Sequence, residues 1–245
     1  MKKNIVYSIS SFFIDLVYEV YYRRKQKKFL SKLNKLFKIS IAFDVGAHHG
    51  ETLDMFLEIF PEIQKIYAFE PYSKSFNILK KKFSTNKKVY LNNLAISDTK
   101  KKTILKISNI EDGQSTLNEV NENSSWLRIK KIFMGSANIY SHTEEVEVDT
   151  LDNLYKSEID LLKIDTEGNE LKVLNSAENL IKNTKFILLE IHKSKMFIGY
   201  NHEKIYEFMT KNNFIILNEF KFPMMMWSDV IFYNSNIVDI KKLDF

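Results

Sequence analysis

Three stretches of this 245-residue chain end an apolar run on an acid: Ile41-Ala42-Phe43-Asp44, Ile66-Tyr67-Ala68-Phe69-Glu70 and Leu161-Leu162-Lys163-Ile164-Asp165. A fourth, Leu188-Leu189-Glu190-Ile191-His192, ends on an imidazole with a carboxylate two residues before it. Carboxylates at strand ends accept hydrogen bonds from hydroxyls, each charge-assisted bond netting about 1.5–3 kcal/mol. An imidazole titrates near neutral pH and takes up a proton readily. Asp44 is followed by Gly46 and Gly50 in the pattern G-x-x-x-G. A strand running into a glycine turn and a helix commonly grips a nucleotide-like ligand. The phosphate-binding pattern, however, is G-x-G-x-x-G, and an aspartate two residues ahead of it would repel a pyrophosphate.

A ligand with a ribose, no phosphate and a cationic tail removes that conflict, and S-adenosylmethionine has this description. Glu70, 26 positions after Asp44, would accept from both ribose hydroxyls. Asp44 would face the methionine end, directly or through water. Gly46 and Gly50 would let the backbone come close, Gly46 at a φ that a side chain disfavours. A methyltransferase is the leading reading of these residues. A nicotinamide-dependent oxidoreductase is disfavoured by Asp44 and by the missing middle glycine.

The elements that must position these groups follow from periodicity. Ile39–Val45, Lys65–Glu70, Val89–Asn92, Asp160–Asp165 and Phe186–His192 read as strands, and Glu51–Phe60, Ser73–Phe83, Asn169–Ile181 and Glu203–Lys211 as helices, with Pro61 helping to stop the first. Strands alternating with helices imply a parallel sheet wrapped on both faces. Between the strands Ile215–Phe220 and Val230–Tyr233 lies only a short Pro- and Met-rich loop. No helical crossover fits there, so the chain should end in an antiparallel hairpin. The expected class is α/β, a Rossmann-like, doubly wound, seven-stranded and mostly parallel sheet with a C-terminal antiparallel hairpin. Thr103–Ser108 and Glu144–Asp149 alternate polar with apolar residues, as half-exposed antiparallel strands do. The 35 residues between them, 109–143, include Gly113-Gln114-Ser115-Thr116-Leu117, Trp126 and Met134-Gly135-Ser136. Loops of that length are usually lids or binding elements. The division expected is a helical extension over 1–38 and one domain over 39–245, with 109–143 as an inserted lid or substrate loop.

Charge is unevenly spread. Between Val20 and Phe43 there are eight basic residues and no acid, so the chain's net +5 conceals a body of about −3. A nucleic-acid groove is not indicated, because no basic stripe interleaved with aromatics runs through the body. In the extension, Ile5, Val6, Ile9, Phe12, Phe13, Leu16, Val17 and Val20, then Phe29, Leu30, Leu33, Leu36 and Phe37, recur at helical spacing. Asp15 and Glu19 interrupt the apolar run and no small-residue cleavage site follows, which argues against a signal peptide or a spanning helix. The extension should pack on the body or on a second subunit; the sharper alternative is a helix lying on an anionic membrane surface. With no cysteine, disulfides and thiol catalysis are excluded, and a reducing, cytoplasmic location is expected, with peripheral membrane contact as the variant.

The blocks FDVGAHHG, YAFEP, NLAISD, GQSTL, DTLDNL, LLKIDTEGNE and LLEIH together resemble the motif series of FkbM-type methyltransferases, from about Ile41 to Tyr233. The D-x-E-G-x-E block, Asp165 to Glu170, is the most distinctive. The resemblance implies a class I methyltransferase fold, S-adenosylmethionine as cofactor, and O-methylation of a polyketide, sugar or glycan. Carried over, it places Asp44, Gly46, Ala47, His48 and Gly50 on the methionine side and Glu70 on the ribose. Pro71 and Tyr72 would wall the adenine, Asn93 and Ala95 would sit against it, and Asp165 would close the pocket next to the acceptor. The tandem His48-His49 is a mild variation on the motif, and the extension lies outside the resemblance.

Methyl transfer to oxygen requires an aligned acceptor, exclusion of water and removal of a proton. Asp165, Glu167, Glu190 and His192 are the candidate bases. His192 is favoured, and Glu190 shares its strand face, able to orient it or share its role. A hydrogen-bonded, non-catalytic strand-end histidine is the bland alternative. Glu170 is best read as an acid favoured at a helix start. Asp165, Glu190 and His192 are a conceivable metal cluster, but no recognised ligand spacing is present, so no metal is expected. His49, His142 and His202 read as surface or packing residues, and Met224, Met225, Met226 and Trp227 as loop filling or an apolar wall. The other function considered is a catalytically silent, membrane- or partner-binding module that uses the basic helix.

Overall fold

The computed structural model describes residues 18–109, 112–134, 139–221 and 226–242. The apolar row from Ile5 to Val17, Gly135-Ser136 and Met224-Met225 lie outside these residues, as do the side chains of Trp126 and Met134. The strands are β1 (Ile41–Val45), β2 (Lys65–Phe69), β3 (Val89–Asn92), β4 (Ala95–Ile96), β5 (Lys101–Ser108), β6 (Tyr140–Asp149), β7 (Ile159–Ile164), β8 (Thr184–His192), β9 (Phe214–Lys221) and β10 (Trp227–Asn234). Seven of them form one sheet in the order β3-β2-β1-β7-β8-β10-β9. Every pair is parallel except those made by β10, which runs antiparallel to both β8 and β9. The doubly wound order and its closing hairpin are those expected.

Helices cover both faces. On one lie α1 (Arg24–Leu36), α2 (Glu51–Ile59) and α3 (Ser73–Phe83), whose Leu30, Leu33, Leu53, Phe56 and Leu79 pack on Ala42, Ile66, Leu161 and Phe186. On the other, α5 (Leu151–Leu154), α6 (Glu170–Asn175) and α7 (His202–Lys211) pack on Phe43, Val45, Leu162, Ile164, Leu189 and Ile191. Strand side chains alternate between faces. Asp44, Lys163, Glu190 and His192 therefore all point to the face of α1 and α2. Register then sets Asp44 beside Lys163 across β1–β7, and Glu190 opposite Asp229 across β8–β10.

The described part of the basic extension is one of the packed layers. A single turn of π-helix (Tyr18–Arg23) leads into α1, and Leu30 and Leu33 are fully buried. Burial of such side chains contributes about 1.5–3 kcal/mol each. Tyr22 is buried too: its hydroxyl donates to Phe220 O (3.1 Å) and accepts from the amide of Asp229 (3.1 Å). Lys28, Lys32 and Lys35 stay exposed on the outer side. No described helix is long and apolar enough to cross a membrane.

Three details depart from the sequence reading. Segment 109–143 holds a helix, α4 (Ser125–Met134), and β6 begins within it, at Tyr140, where Ser108 pairs with it. The helix expected over Asn169–Ile181 stops at Asn175, because Ser176 turns back onto Val173 O (2.6 Å) and the Asp152 carboxylate captures the amides of Asn179 and Leu180 (2.9 Å each). Strands β4, β6 and β5 make a second, three-stranded sheet, from which Glu144 caps α3 by accepting from Ser73 N (3.1 Å) and Ser73 Oγ (3.0 Å).

Candidate active site

The turn after β1 has no room for side chains at its two glycines. Gly46 has φ +87° and a Cβ there would lie 1.7 Å from Asp165 O; at Gly50, with φ +84°, it would lie 2.4 Å from the Phe83 ring. The amides of Gly46 and Ala47 both donate to Phe69 O (3.0 and 3.1 Å). That of His48 donates to Glu70 Oε2 (2.9 Å), and that of Tyr72 to Glu70 Oε1 (2.8 Å). A carboxylate 8% exposed is thus fixed at the tip of β2 against the glycine turn. Burial pushes it up to about 7 despite these two amides. The Asn93 amide donates to Glu70 O (2.9 Å) and Pro71 O (3.1 Å), so Asn93, Pro71 and Tyr72 border the same tip. Ala95 is instead buried in β4 opposite Val148. The His48 and His49 rings stack at 3.7 Å.

Asp44 does not open onto this space. It is completely buried, and its Oδ1 lies 3.2 Å from Lys163 Nζ, which also lies 3.2 Å from Asp165 Oδ2 and donates to Gly46 O (3.4 Å). Burial lowers the Lys163 ammonium's affinity for its proton, but Asp165 and Asp44 more than offset this and hold it charged. Burial pushes Asp44 up to about 6 in spite of Lys163. For Asp165, whose side chain is 36% exposed, burial is outweighed by Lys163 and by a hydrogen bond from Glu190, and the carboxyl stays below its usual range.

The D-x-E-G-x-E block forms a single tied turn. Glu170 is wholly buried, and its Oε1 accepts from Thr166 N (3.0 Å), Thr166 Oγ1 (3.1 Å) and Gly168 N (3.0 Å). Its role is to tie the turn, more than the helix-start preference read from the sequence. Glu167 and Gly168 both have positive φ (51° and 97°), and a Cβ on Gly168 would strike the Phe197 ring at 2.6 Å. Thr116, from the GQSTL block, donates to Glu167 O (2.7 Å), and the Asn169 amide donates to Ile96 O (2.9 Å). The inserted segment and the small sheet therefore hold the backbone of the turn that carries Glu167.

Beside this turn, His192 is 5% exposed, with its amide donating to Tyr200 Oη (3.0 Å) and the Phe197 and Tyr200 rings set edge-on to its imidazole. Its Nε2 lies 3.0 Å from Glu190 Oε2 and 3.8 Å from Glu167 Oε2. Burial, then Asp165 and Asp229, push Glu190 well above the usual carboxylate range. Asp229 is pushed up to about 6 by burial and Asp165, and accepts from the Gln26 amide of α1. Asp165, Glu190 and His192 are thus brought together as expected. Lys163, Glu167, Asp229 and Tyr200 join them; of these only Glu167 was singled out from sequence. The lysine inside LLKID, an otherwise apolar strand, was the available signal for the first. His142 is exposed and His202 begins α7.

Residues 44–216 match the family described as Methyltransferase FkbM domain. Among solved structures, the chain is similar to methyltransferase FkbM from Methylobacillus flagellatus KT, with a TM-score of 0.53 and 14% identity over 80% of this chain, which spans 44% of that one. It is also similar to the N-methyltransferase NodS from Bradyrhizobium japonicum WM9, with a TM-score of 0.50 and 7% identity, covering 89% of this chain and 98% of that one. Likeness at such identities carries the fold alone. A comparison with curated proteins finds no match.

Proposed function

The chain belongs to the FkbM methyltransferase family, a family that uses S-adenosylmethionine, and from that premise we propose that it is an O-methyltransferase acting on a hydroxyl of a saccharide, glycan or secondary metabolite. The observation that carries the cofactor assignment is the Glu70 carboxylate, held by two amides at the tip of β2 beside a turn closed to side chains at Gly46. Carboxylate oxygens retain lone pairs after accepting one amide each, so Glu70 can accept both ribose hydroxyls. Pro71, Tyr72 and Asn93 border the adenine side. The methionine end is met by the backbone of Gly46, Ala47, His48 and Gly50 and by Asp165. Asp44, shut behind Lys163, acts on charge balance and on the turn's position without touching the ligand. Bound S-adenosylmethionine supplies an activated methyl group on a sulfonium cation, which this acid-rich site favours.

Catalysis is assigned to Asp165, Glu190 and His192. Asp165 is open enough to meet an acceptor, while Glu190 and His192 form a dry carboxylate–imidazole pair behind it. In the metal-free protein the atom that receives the acceptor's proton is His192 Nε2. A small acceptor is favoured over a nucleic acid because acids dominate around the site, while the basic residues line the outer side of α1. The test is transfer of a tritiated methyl group to extracts of the source cell. Label in an ether of a sugar or metabolite is the expected result; label in RNA or protein, or none at all, would refute the reading.

A further inference from the structure

We propose that Glu167, Glu190 and His192 bind a divalent metal cation, and that this cation grips two adjacent oxygens of the acceptor, as on a vicinal diol of a sugar ring. One donor atom from each of the three residues lies within 4.8 Å of the others. The measured separations, 3.0 Å from His192 Nε2 to Glu190 Oε2 and 3.8 Å to Glu167 Oε2, suit a shared ion, since atoms about 2.0–2.3 Å from one centre sit about 3–4 Å apart.

The second observation is burial without a hydrogen bond. Nε2 of His192 and Oε2 of Glu190 are both shut from solvent and neither makes a hydrogen bond, although they face one another. Buried polar atoms are nearly always satisfied, and a cation between them satisfies both at once. The donors are also held in place from separate segments. Glu167 is fixed by Thr116 and by the turn that Glu170 ties, and His192 by Tyr200 and the Phe197 ring. Asp165 and Asp229 lie close by, with Lys163 as the buried ammonium that faces them, so the surroundings favour added positive charge. One imidazole nitrogen with two carboxylate oxygens suits a cation of the Mn2+ or Mg2+ kind, with Zn2+ the competitor. Three protein ligands leave positions open for the acceptor.

The inference rests on the methyl-transfer reading and changes it in one respect. With the ion bound, His192 Nε2 would be a ligand instead of a proton acceptor; the ion would acidify the acceptor hydroxyl, and the proton released on methyl transfer would pass to Asp165, the carboxylate open to the acceptor.

The full chain should be titrated with Mn2+, following loss of the free-ion electron paramagnetic resonance signal, and in parallel with S-adenosylmethionine by calorimetry. One Mn2+ per chain is expected, bound at least about tenfold more weakly by Glu167→Gln and by His192→Gln, with Glu167→Gln leaving cofactor binding unchanged. A wild-type chain that binds cofactor but retains none of Mn2+, Mg2+ or Zn2+ at millimolar concentration overturns the cation site and leaves the methyltransferase reading intact. Mn2+ binding that neither substitution weakens overturns the assignment to these residues. Mn2+ bound without any cofactor binding supports the cation site and sinks the methyltransferase reading instead.

Discussion

Replacing Lys163 by Met removes a buried ammonium from a nest of acids while nearly conserving side-chain volume. Its Nζ sits 3.2 Å from both Asp44 and Asp165, with the lysine side chain 12% exposed and that of Asp44 fully buried. Breaking a buried pair by deleting one partner costs about 3–5 kcal/mol, against a total stability of about 5–15 kcal/mol. The variant should therefore fold but unfold at clearly lower urea. The loss must also depend on pH, with a definite sign. Burial already pushes Asp44 up to about 6 from 3.8 with Lys163 beside it. A raised carboxyl binds its proton more tightly when folded, so stability falls as pH climbs from the unfolded value to the folded one, by at most about 1.4 kcal/mol per pH unit. In the native chain this decline ends near 6; without Lys163 it continues upward. Urea unfolding at about pH 5.5 and about pH 8 should show a deficit that widens at the higher pH, and Asp44→Asn added to Lys163→Met should recover most of it. A deficit under about 1 kcal/mol, or one identical at both pH values, would refute the buried ion-pair network.

Two further outcomes follow from other parts of the structure. Glu70, at about 7 when folded against an ordinary 4.5, must be ionised to accept the ribose hydroxyls. Cofactor affinity measured by calorimetry should fall below pH 7, approaching tenfold per unit, while the ligand-free protein gains stability over the same descent from about 7 to about 4.5; parallel trends in the two quantities would contradict this. Leu33→Ala in α1, a fully buried site, should cost about 2–5 kcal/mol in urea unfolding, although it lies outside the family match; a negligible loss would show that α1 is not a layer of the fold.

What the sequence made legible was whatever depends on local spacing. Apolar runs alternating with helix-like runs located the strands of the large sheet, the lack of room between Phe220 and Val230 revealed the hairpin, and G-x-x-x-G after Asp44 marked a turn whose two glycines have positive φ. Pairings between distant residues were not legible. Gln26 meets Asp229 from 203 positions away, and Tyr22 reaches the Phe220 carbonyl across 198; no spacing rule encodes either. Nothing in the spacing around Lys163 shows that it pairs with Asp44 on the adjacent strand as well as with Asp165 two residues on. Glu170 was read for its position at a helix start, whereas its side chain turns back to collect three hydrogen bonds. Asp44 shows the same limit from the other side: its type and place suggest a ligand contact, while no local spacing shows that register also sets it beside Lys163.

The most direct measurement is calorimetric binding of S-adenosylmethionine to the wild-type chain and to Glu70→Ala. One cofactor per chain should bind the wild type, and loss of two charge-assisted bonds of about 1.5–3 kcal/mol each should weaken binding at least about a hundredfold in the variant. Equal affinity in the two proteins, or tighter binding of a reduced nicotinamide dinucleotide than of S-adenosylmethionine, would contradict the assignment of this pocket.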